Sequence, residues 1–251
     1  MASNLIIVTG ASRGLGAAMA EQLLLPGHVL LCISRHINDA LGSKALAAGA
    51  QLEQWPRDLA DPAAVAGQVE RWLGAFEATR FDGATLINNA GAIGRVGPID
   101  ECPNAELSSA LRVGLEAALL LCAAFLRATR DWRAQRKLLN ISSGLGRRAM
   151  AGSAVYCAAK AGMDHFSRAV ALDEAHRGSG TRIVSLAPGI IDTDMQAQLR
   201  ASGASGFPDQ GQFLAMKAQG QLATPHAAAA RVLAYLQRAD FGNQPVADLR
   251  D

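Results

Sequence analysis

Short segments rich in apolar residues alternate with longer helical patterns along most of the chain. The apolar segments are residues 5–8, 29–33, 84–87, 138–141 and 182–186, with weaker ones at 52–58 and around Val246. Runs of this kind are typical of parallel strands that are buried on both faces of a sheet. Helical patterns lie between them. The alternation predicts one α/β domain, residues 1–251, in which helices flank both faces of a doubly wound parallel sheet.

Two parts of the pattern depart from this alternation. Residues 107–130 form a long helical pattern with apolar residues on nearly every side, which predicts a helix buried in the core or between copies of the chain. Residues 190–223, called the long loop below, mix polar and apolar residues after a predicted strand. Long loops at that edge of a sheet usually form walls or lids of binding sites. We therefore expect a homodimer or homotetramer, with a ligand site beneath the long loop.

The composition excludes several classes of protein. Half of the 251 residues are hydrophobic and 18% are charged, so the chain is not a disordered polymer. The formal net charge of +2 is far from the basic surface of a nucleic-acid-binding protein. The most apolar stretch, residues 113–126, contains Glu116 and is shorter than the roughly 20 apolar residues that span a bilayer. Neither a nucleic acid nor a membrane is therefore expected as a partner.

The N-terminal residues and the cysteines predict a cytoplasmic protein. Residues 1–4 have no basic region before the first apolar run, so we expect no signal peptide. Cys32, Cys102, Cys122 and Cys157 form no Cys-x-x-Cys pair, and we interpret them as free thiols in a reducing compartment. The five histidines show no metal-ligand spacing, so no metal site is predicted.

A glycine-rich segment follows the first predicted strand and precedes a helical pattern. It runs Thr9-Gly10-Ala11-Ser12-Arg13-Gly14-Leu15-Gly16. Glycines in this context permit a tight turn and let backbone N–H groups approach a pyrophosphate at a helix N-terminus. A turn without a ligand is the alternative, but the order strand, turn, helix favours a dinucleotide cofactor.

The end of the second predicted strand indicates which dinucleotide is bound. An acidic side chain there would hold the ribose 2′-hydroxyl of NAD, but this sequence has Ser34-Arg35-His36. Arg35 and Arg13 suit the 2′-phosphate of NADP, because guanidinium groups bind phosphate bidentately. Either arginine is otherwise an ordinary surface residue. We predict NADP(H) in preference to NAD(H).

Ser143, Tyr156 and Lys160 are the candidate catalytic residues. If residues 156–160 are helical, Tyr156 and Lys160 lie one turn apart on one face. A fixed ammonium group favours the phenolate, and so lowers the tyrosine pKa from its reference value of about 10. A serine hydroxyl holds a carbonyl oxygen while the phenol donates a proton to it. Alone, the Tyr-x-x-x-Lys spacing equally describes an ordinary helix with a half-buried tyrosine and a solvated lysine.

Five motifs in this order resemble those of the short-chain dehydrogenase/reductase (SDR) family over nearly the whole chain. They are the glycine segment, Asn88-Asn89-Ala90-Gly91, Ser143, Tyr156 with Lys160, and Pro188-Gly189 followed by Thr193. The resemblance implies a Rossmann-like fold and hydride transfer between a nicotinamide cofactor and a small carbonyl substrate. It implies that Tyr156 is the general acid in reduction and that Ser143 orients the carbonyl. Lys160 would lower the pKa of Tyr156 and bind the nicotinamide ribose.

The resemblance also implies the remaining cofactor contacts. Gly10, Ser12, Arg13, Gly14 and Leu15 would surround the phosphates, Asp58 and Leu59 would lie near the adenine, and Asn89 and Ala90, with Gly91 beside them, near the ribose. Pro188, Gly189, Ile191 and Thr193 belong to the loop that would contact the nicotinamide.

The chain departs from the family pattern at Gly114. Many members carry an asparagine at the matching position of the long helix, where it holds a water in a proton relay to the lysine. Gly114 keeps a backbone carbonyl but has no side chain, and glycine inside a helix costs about 1 kcal/mol relative to alanine. The resemblance therefore does not extend to this relay.

Three segments resemble the sepiapterin reductase and benzil reductase branch of the family. They are residues 188–196, residues 213–222 with Lys217 and Gly220, and the tail 247–251. In sepiapterin reductases an aspartate of the tail grips the pterin, and Asp248 is the matching position here. A carboxylate that accepts two parallel N–H bonds suits this role, and a solvated terminal acid is the alternative.

These features imply an NADPH-dependent carbonyl reductase that converts a ketone or diketone to an alcohol. The alternatives are sepiapterin reductase proper, or another enzyme of this fold such as a 3-oxoacyl thioester reductase or a hydroxysteroid dehydrogenase. A non-catalytic dinucleotide sensor is favoured only by Gly114, and the presence of Tyr156 and Lys160 opposes it. Arg147 and Arg148, which follow the serine, would meet either an anionic substrate or, more commonly, solvent.

Overall fold

Seven parallel strands form one sheet in the order β3-β2-β1-β4-β5-β6-β7. The computed structural model describes residues 3–203 and 206–250. The strands are β1 (Asn4–Thr9), β2 (Val29–Ser34), β3 (Gln51–Pro56), β4 (Gly83–Asn88), β5 (Gln135–Ile141), β6 (Arg182–Ala187) and β7 (Val246–Asp248). Every predicted strand is present. Met1 and Ala2, which belong to the predicted leaderless terminus, and Asp251 of the tail lie outside the described residues.

The strand order reverses at β1, which pairs with β2 on one side and with β4 on the other. Connections on the two sides of this point run in opposite directions, so a crevice opens at the carboxyl ends of β1 and β4. The glycine segment follows β1 and the Asn88–Gly91 motif follows β4. The predicted cofactor residues are therefore gathered at one edge of the sheet.

Helices cover both faces of the sheet, as the alternation predicts. They are α1 (Gly14–Gln22), α2 (Asp39–Ala48), α3 (Pro62–Gly74), α4 (Asn104–Leu111), α5 (Ala117–Ala128), α6 (Ala154–His176), α7 (Asp194–Ala201), α8 (Gln210–Ala218) and α9 (Pro225–Leu236). Helices α1, α2 and α9 pack on the face that carries Ile6 and Val8. Helices α3 and α5, with part of α6, pack on the face that carries Leu5 and Ile7. Alternate residues of one strand thus fill two separate cores.

The long helix predicted at 107–130 runs from Asn104 to Ala128 as α4, a π-helical turn at Arg112–Glu116, and α5. Among the described residues it is the one helix long and apolar enough to cross a membrane by length and composition alone. The apolar stretch is therefore longer than the sequence suggested. Leu121 and Phe125 of this helix are fully buried, and α5 packs along α3. This packing is that of a core helix.

The long loop folds into α7 and α8 and closes on itself at its base. Ile191 and Ala223 form an isolated parallel bridge, and the Ala223 N–H donates to the Ile190 carbonyl at 3.0 Å. Phe207 and Phe213 of the loop join Leu145 and Tyr156 in a third apolar cluster. The loop therefore packs over the N-terminal end of α6.

Candidate active site

A cavity of about 740 Å³ opens at the carboxyl edge of the sheet. It is lined by every residue predicted to bind the cofactor or to act in catalysis: Gly10, Ser12, Arg13, Gly14, Leu15, Arg35, Asp58, Leu59, Asn89, Ala90, Gly91, Ser143, Tyr156, Lys160, Pro188, Gly189, Ile191 and Thr193. These residues come from segments spread over most of the chain. The fold therefore assembles the predicted site, with the exception of Asp248.

The glycine segment forms a turn that has no room for a side chain at Gly10 or Gly16. Gly10 has a φ of 68°, and a Cβ there would lie 2.9 Å from the Ala90 Cα. A Cβ on Gly16 would lie 2.1 Å from the Gly10 carbonyl oxygen. The turn thus brings bare backbone to the mouth of the cavity at the start of α1, and this geometry fits a pyrophosphate.

Thr9 and Asn89 tie the ends of β1 and β4 together. The Thr9 Oγ1 accepts from the backbone N–H groups of Asn89 and Ala90, each at 3.0 Å. The Asn89 Nδ2 donates to the carbonyls of Thr9 and Gly10 at 3.0 and 3.2 Å. Asn89 thus joins two strand ends and also lines the cavity.

A chain of buried polar contacts fixes α6 against the sheet. The Asn88 Nδ2 donates to the Asn140 Oδ1 at 2.9 Å, and the Asn140 Nδ2 donates to the Ser167 Oγ at 2.9 Å. The Ser167 hydroxyl donates in turn to the Met163 carbonyl. These bonds set the height of α6 relative to β4 and β5, and so the positions of Tyr156 and Lys160.

Ser143, Tyr156 and Lys160 converge at the inner wall of the cavity. Ser143 follows β5, its Oγ accepts from the Leu145 N–H at 3.2 Å, and it is hydrogen-bonded to Tyr156. Tyr156 and Lys160 are 8% and 3% exposed on one face of α6. The Lys160 Nζ lies 5.7 Å from the centroid of the Tyr156 ring and donates to the Ile141 carbonyl at 2.7 Å.

The pKa values differ from the sequence expectation. Burial raises the pKa of Tyr156 to about 12, and the hydrogen bond with Ser143 only partly opposes this shift. Burial also lowers the pKa of Lys160 to about 8, against the charge of Asp164. The tyrosine pKa therefore lies above its usual value, not below it as expected from the neighbouring Lys160, because burial disfavours the charged phenolate. Tyr156 is a phenol, and hence a proton donor, throughout the physiological pH range.

Asp164 is a buried residue of the site that the sequence reading missed. It is 2% exposed and lies four residues after Lys160, on the same face of α6. Its Oδ1 accepts from the hydroxyls of Ser142 and Ser185, both at 2.6 Å, and its Oδ2 lies 3.2 Å from the Arg147 Nε. Asp164 thus joins α6 to the loop that carries Ser143. A carboxylate one turn after the lysine was the only signal in the sequence.

The two arginines predicted to read the 2′-phosphate differ in their surroundings. Arg35 is exposed at the end of β2 and makes no hydrogen bond or ion pair within residues 3–203 and 206–250. Arg13 forms an ion pair of 2.7 Å with Asp194 at the start of α7. Both side chains of that pair are exposed, so the pair contributes less than about 1 kcal/mol and gives way readily to a phosphate.

The substrate end of the cavity is apolar, and the sequence identified only part of it. Its lining there consists of Ile93, Leu145, Met195, Leu199, Phe213 and Met216. Four of these side chains belong to the long loop, which agrees with the expectation that the loop walls the site. The arrangement suits an apolar carbonyl compound held next to Tyr156.

Comparison with known proteins decides the family. The sequence model described as short chain dehydrogenase matches residues 4–203. The chain belongs to the short-chain dehydrogenase family. It is 31% identical over 236 residues to benzil reductase ((S)-benzoin forming) of Bacillus cereus, with 94% of this chain and 95% of that protein covered. It is 32% identical over 257 residues to sepiapterin reductase of Meriones unguiculatus, with 98% and 95% covered.

A solved structure supports the same assignment. The short chain dehydrogenase from Burkholderia cenocepacia J2315 in complex with NADP superposes with a TM-score of 0.75 at 26% identity. The alignment covers 96% of this chain and 94% of that one. The family and the Rossmann-like architecture are therefore confirmed, and the chain is an oxidoreductase of the kind that acts on alcohol and carbonyl groups with a nicotinamide dinucleotide.

Gly114, where this family member departs from the usual pattern, lies in the middle of the π-helical turn. It is buried, and a Cβ there would approach the Ala159 Cβ to 3.2 Å. The absence of a side chain lets this turn pack closely against α6 next to Lys160. Gly114 does not line the cavity. Val113, the residue before it, and Ser109, about one turn before it, do.

The structure does not bring Asp248 to the substrate end of the cavity. Its carboxylate is hydrogen-bonded by the Arg250 side chain and lies 3.6 Å from the Arg147 Nη1. These contacts lower the pKa of Asp248, chiefly through the hydrogen bond from Arg250. Both carboxylate oxygens are therefore already engaged by guanidinium groups. The proposed grip on a pterin remains a prediction from the resemblance alone.

The cysteines and other metal-ligating residues add no further chemistry at the site. All four cysteines are free, and burial raises the pKa of the Cys32 and Cys122 thiols to about 12. Within the part of the chain that the structure describes, no group of three or more His, Cys, Asp or Glu side chains is placed to hold a metal ion.

Proposed function

We propose that the protein is an NADPH-dependent carbonyl reductase that reduces a ketone or diketone to an alcohol. The observation that carries this proposal is the convergence of Ser143, Tyr156 and Lys160 on one wall of the cavity that the glycine turn opens. The benzil reductase of Bacillus cereus, which covers nearly the whole chain, supports a diketone as the substrate class.

Each residue of the site has a separate role in the reduction. The nicotinamide, when bound, supplies the hydride to the carbonyl carbon. Ser143 holds the carbonyl oxygen by a hydrogen bond, and the Tyr156 hydroxyl donates the proton that this oxygen takes up. With a pKa of about 12, Tyr156 is protonated and ready to donate at pH 7. Lys160, with a pKa of about 8, is a cation at pH 7 and stabilises the phenolate that remains.

The preference for NADP(H) rests on the cationic groups around the end of β2. Arg35 is exposed there with no partner among the described residues, and no acidic residue occupies the strand end. Arg13 is held nearby by an exposed ion pair. The NADP-bound relative from Burkholderia cenocepacia is consistent with this preference.

Sepiapterin reductase activity is the second candidate, and the relative from Meriones unguiculatus favours it. The engagement of Asp248 by Arg147 and Arg250 argues against a pterin held by that carboxylate. A diketone therefore ranks before a pterin.

Two further features of the proposal concern the whole molecule. We expect a homodimer or homotetramer, because Leu119 on α5 and Leu172 on α6 expose apolar side chains that a partner copy would cover. We place the protein in the cytoplasm, in keeping with its free thiols.

The test is oxidation of NADPH and NADH with a panel that contains benzil, sepiapterin and a 3-oxoacyl thioester. Benzil with NADPH is expected to give the highest kcat/KM, and Tyr156→Phe is expected to abolish turnover. Undiminished turnover in that variant would exclude the assigned mechanism. Binding of NADPH without reduction of any carbonyl compound would favour the dinucleotide sensor.

A further inference from the structure

A second cavity, of about 640 Å³, lies beside the active-site cavity. Its lining is cationic, with four arginines and one carboxylate: Arg147, Arg148, Arg168, Arg250 and Asp248. Gly144, Arg148 and Arg250 line both cavities, so the two lie side by side on the loop that follows Ser143. No role in the proposed reduction accounts for this cavity.

Two of the four arginines are held by protein partners. The Arg250 guanidinium binds both oxygens of Asp248. Arg147 lies 3.6 Å from Asp248 and 3.2 Å from the buried Asp164, and donates to the Ala247 carbonyl at 2.9 Å. These two guanidinium groups and the carboxylates roughly balance in charge, and they form a rigid floor for the cavity.

The other two arginines are not neutralised. The side chains of Arg148 and Arg168 are exposed and make no hydrogen bond or ion pair with any residue in 3–203 or 206–250. Two like charges that share one cavity without a counter-charge raise each other's free energy, and an anion between them removes that cost. Guanidinium groups bind carboxylate and phosphate oxygens in the bidentate geometry that such a site needs.

The placement of Arg168 indicates how far the anion lies from the reacting carbonyl. Arg168 is twelve residues beyond Tyr156 on α6, which is about 18 Å along the helix axis. Long helical side chains lean toward the helix N-terminus, and the N-terminus of α6 is the end that carries Tyr156. The guanidinium of Arg168 is therefore expected to extend toward the active-site edge, and Arg148 lines both cavities.

We propose that the second cavity binds an oxyanion at the far end of the substrate, a carboxylate or a phosphate, between Arg148 and Arg168. The inference rests on the proposed function and names its substrate class: an apolar ketone or diketone with an anionic group remote from the reacting carbonyl. The apolar wall of the long loop holds the middle of such a molecule, and the anion sets its orientation. No bond to the anionic group is made or broken in the reduction.

The experiment compares three diketones that share one reacting end. Each is benzil with an alkyl ether chain at the para position, long enough to span the apolar wall of the long loop. The chain ends in a carboxylate, a phosphate ester or a carboxamide, and all three compounds are assayed with saturating NADPH. The variants are Arg148→Ala and Arg168→Ala. Arg133→Ala is the matched control, because it removes the same charge from an exposed position before β5, at the opposite edge of the sheet.

The measured quantity is the ratio of kcat/KM for each anionic diketone to that for the carboxamide. We expect a ratio above one in the native protein and a fall of about tenfold in either variant, the usual loss when one charge-assisted hydrogen bond is removed. The Arg133→Ala ratio is expected to match the native one. The anion that gives the larger ratio identifies the carboxylate or the phosphate as the natural group. Ratios that are equal in the native protein and all three variants would overturn the proposal.

A binding measurement separates this inference from the proposed function. The increase in Tm caused by each diketone is measured with NADP⁺, which supplies no hydride and so leaves the diketone intact. This increase is expected to be larger for the anionic compounds than for the carboxamide in the native protein, and equal for all three compounds in Arg168→Ala. If no diketone is reduced, the proposed function fails while the Tm comparison still decides the anion site. Equal Tm increases for all three compounds would exclude the site.

Discussion

Asp164 lies one helical turn beyond Lys160 and supplies the negative charge that keeps the pKa of that lysine from falling further. The two residues are 2% and 3% exposed, and Asp164 also holds the hydroxyls of Ser142 and Ser185. Burial lowers the lysine pKa to about 8, and the Asp164 charge acts in the opposite direction. Tyr156 on α6 lies next to Lys160, and Arg147, on the loop that follows Ser143, lies next to Asp164.

The first prediction concerns Asp164→Asn. Removal of the carboxylate charge lowers the pKa of Lys160 further, so the lysine loses its proton at a lower pH. Because reduction needs the cationic lysine, the alkaline limb of the pH profile of kcat/KM is expected to move below its native midpoint of about pH 8. Loss of a buried charged partner is also expected to lower the free energy of unfolding by about 3 kcal/mol.

Asp173→Asn is the control for this prediction. Asp173 is on the same helix but exposed, so its loss is expected to leave the midpoint in place. A purely structural role for Asp164 would reduce activity equally at every pH. The same midpoint in both variants would therefore contradict the electrostatic role.

The second prediction is that Lys160→Met stabilises the protein while it abolishes activity. The pKa of Lys160 is about 8 in the native state and 10.5 in the unfolded reference state. Below pH 8 the buried lysine is charged, and the cost of that charge is fully present. After subtraction of the lost hydrogen bond to Ile141, the gain in the free energy of unfolding at pH 7 is expected to be about 2 kcal/mol.

The pH dependence of that gain has a definite sign. Between pH 8 and 10.5 the native lysine is neutral while the unfolded one still binds a proton, so the stability contributed by this site in the native protein rises with pH. The difference between Lys160→Met and the native protein should therefore shrink toward pH 10. Urea unfolding at pH 7, 8.5 and 10 measures it, with Lys44→Met as an exposed control. A difference that grows with pH would refute the burial argument.

The third prediction is that Arg35→Asp reverses the cofactor preference. The new carboxylate repels the 2′-phosphate of NADPH and accepts the 2′-hydroxyl of NADH. The ratio of kcat/KM for NADPH to that for NADH is expected to fall by about 100-fold, which corresponds to the loss of charge-assisted hydrogen bonds. Steady-state kinetics with both cofactors measures it. Arg95→Asp, an exposed position outside the cavity lining, should leave the ratio unchanged, and equal losses for both cofactors in Arg35→Asp would count against the role of Arg35.

The fourth prediction concerns the wall formed by the long loop. Phe213 is buried against Phe207, at 5.5 Å between ring centroids, and lines the substrate end of the cavity. Phe213→Ala is expected to raise the KM for an apolar diketone by about tenfold with a smaller change in the KM for NADPH, because it removes apolar contact area at the substrate end. Leu214→Ala, at the neighbouring half-exposed position of α8, serves as the control. An equal effect of both substitutions would mean that the wall is not specific to Phe213.

Local patterns in the sequence predicted the strands and the motifs that line the cavity. The buried strands are continuous apolar runs in the sequence. Gly10 and Asn89 follow two of these runs, and in the structure they lie where the ends of β1 and β4 meet. These signals depend on residues close together in the sequence, so they can be recognised without a structure. The same periodicity predicted the long helix but not its π-helical turn, because the turn depends on packing against Ala159 of another helix.

The features of the site that the sequence did not predict share one physical cause. The roles of Asp164 and Arg168 depend on what lies across from them in space, and neither falls in a recognisable motif. The pKa of Tyr156 was mistaken because the sequence gives the nearby lysine but not the depth of burial, which dominates the shift. The contacts of Asp248 with Arg147 and Arg250 in the neighbouring cavity could not be read from its position in the tail for the same reason.

The bridge between Ile191 and Ala223 separates the part of the chain that sets substrate selectivity from the strands of the sheet. The bridge pins both ends of the long loop next to each other at the sheet edge, so the residues between them form a cassette whose length does not strain the strands. Recombination or insertion inside the cassette is expected to alter which molecules are accepted, while Ser143 after β5 and Tyr156 and Lys160 on α6 keep their positions. Exchange of residues 195–222 with those of a relative, which leaves Thr193 and Asp194 in place, is therefore expected to change substrate selectivity while the catalytic residues stay the same.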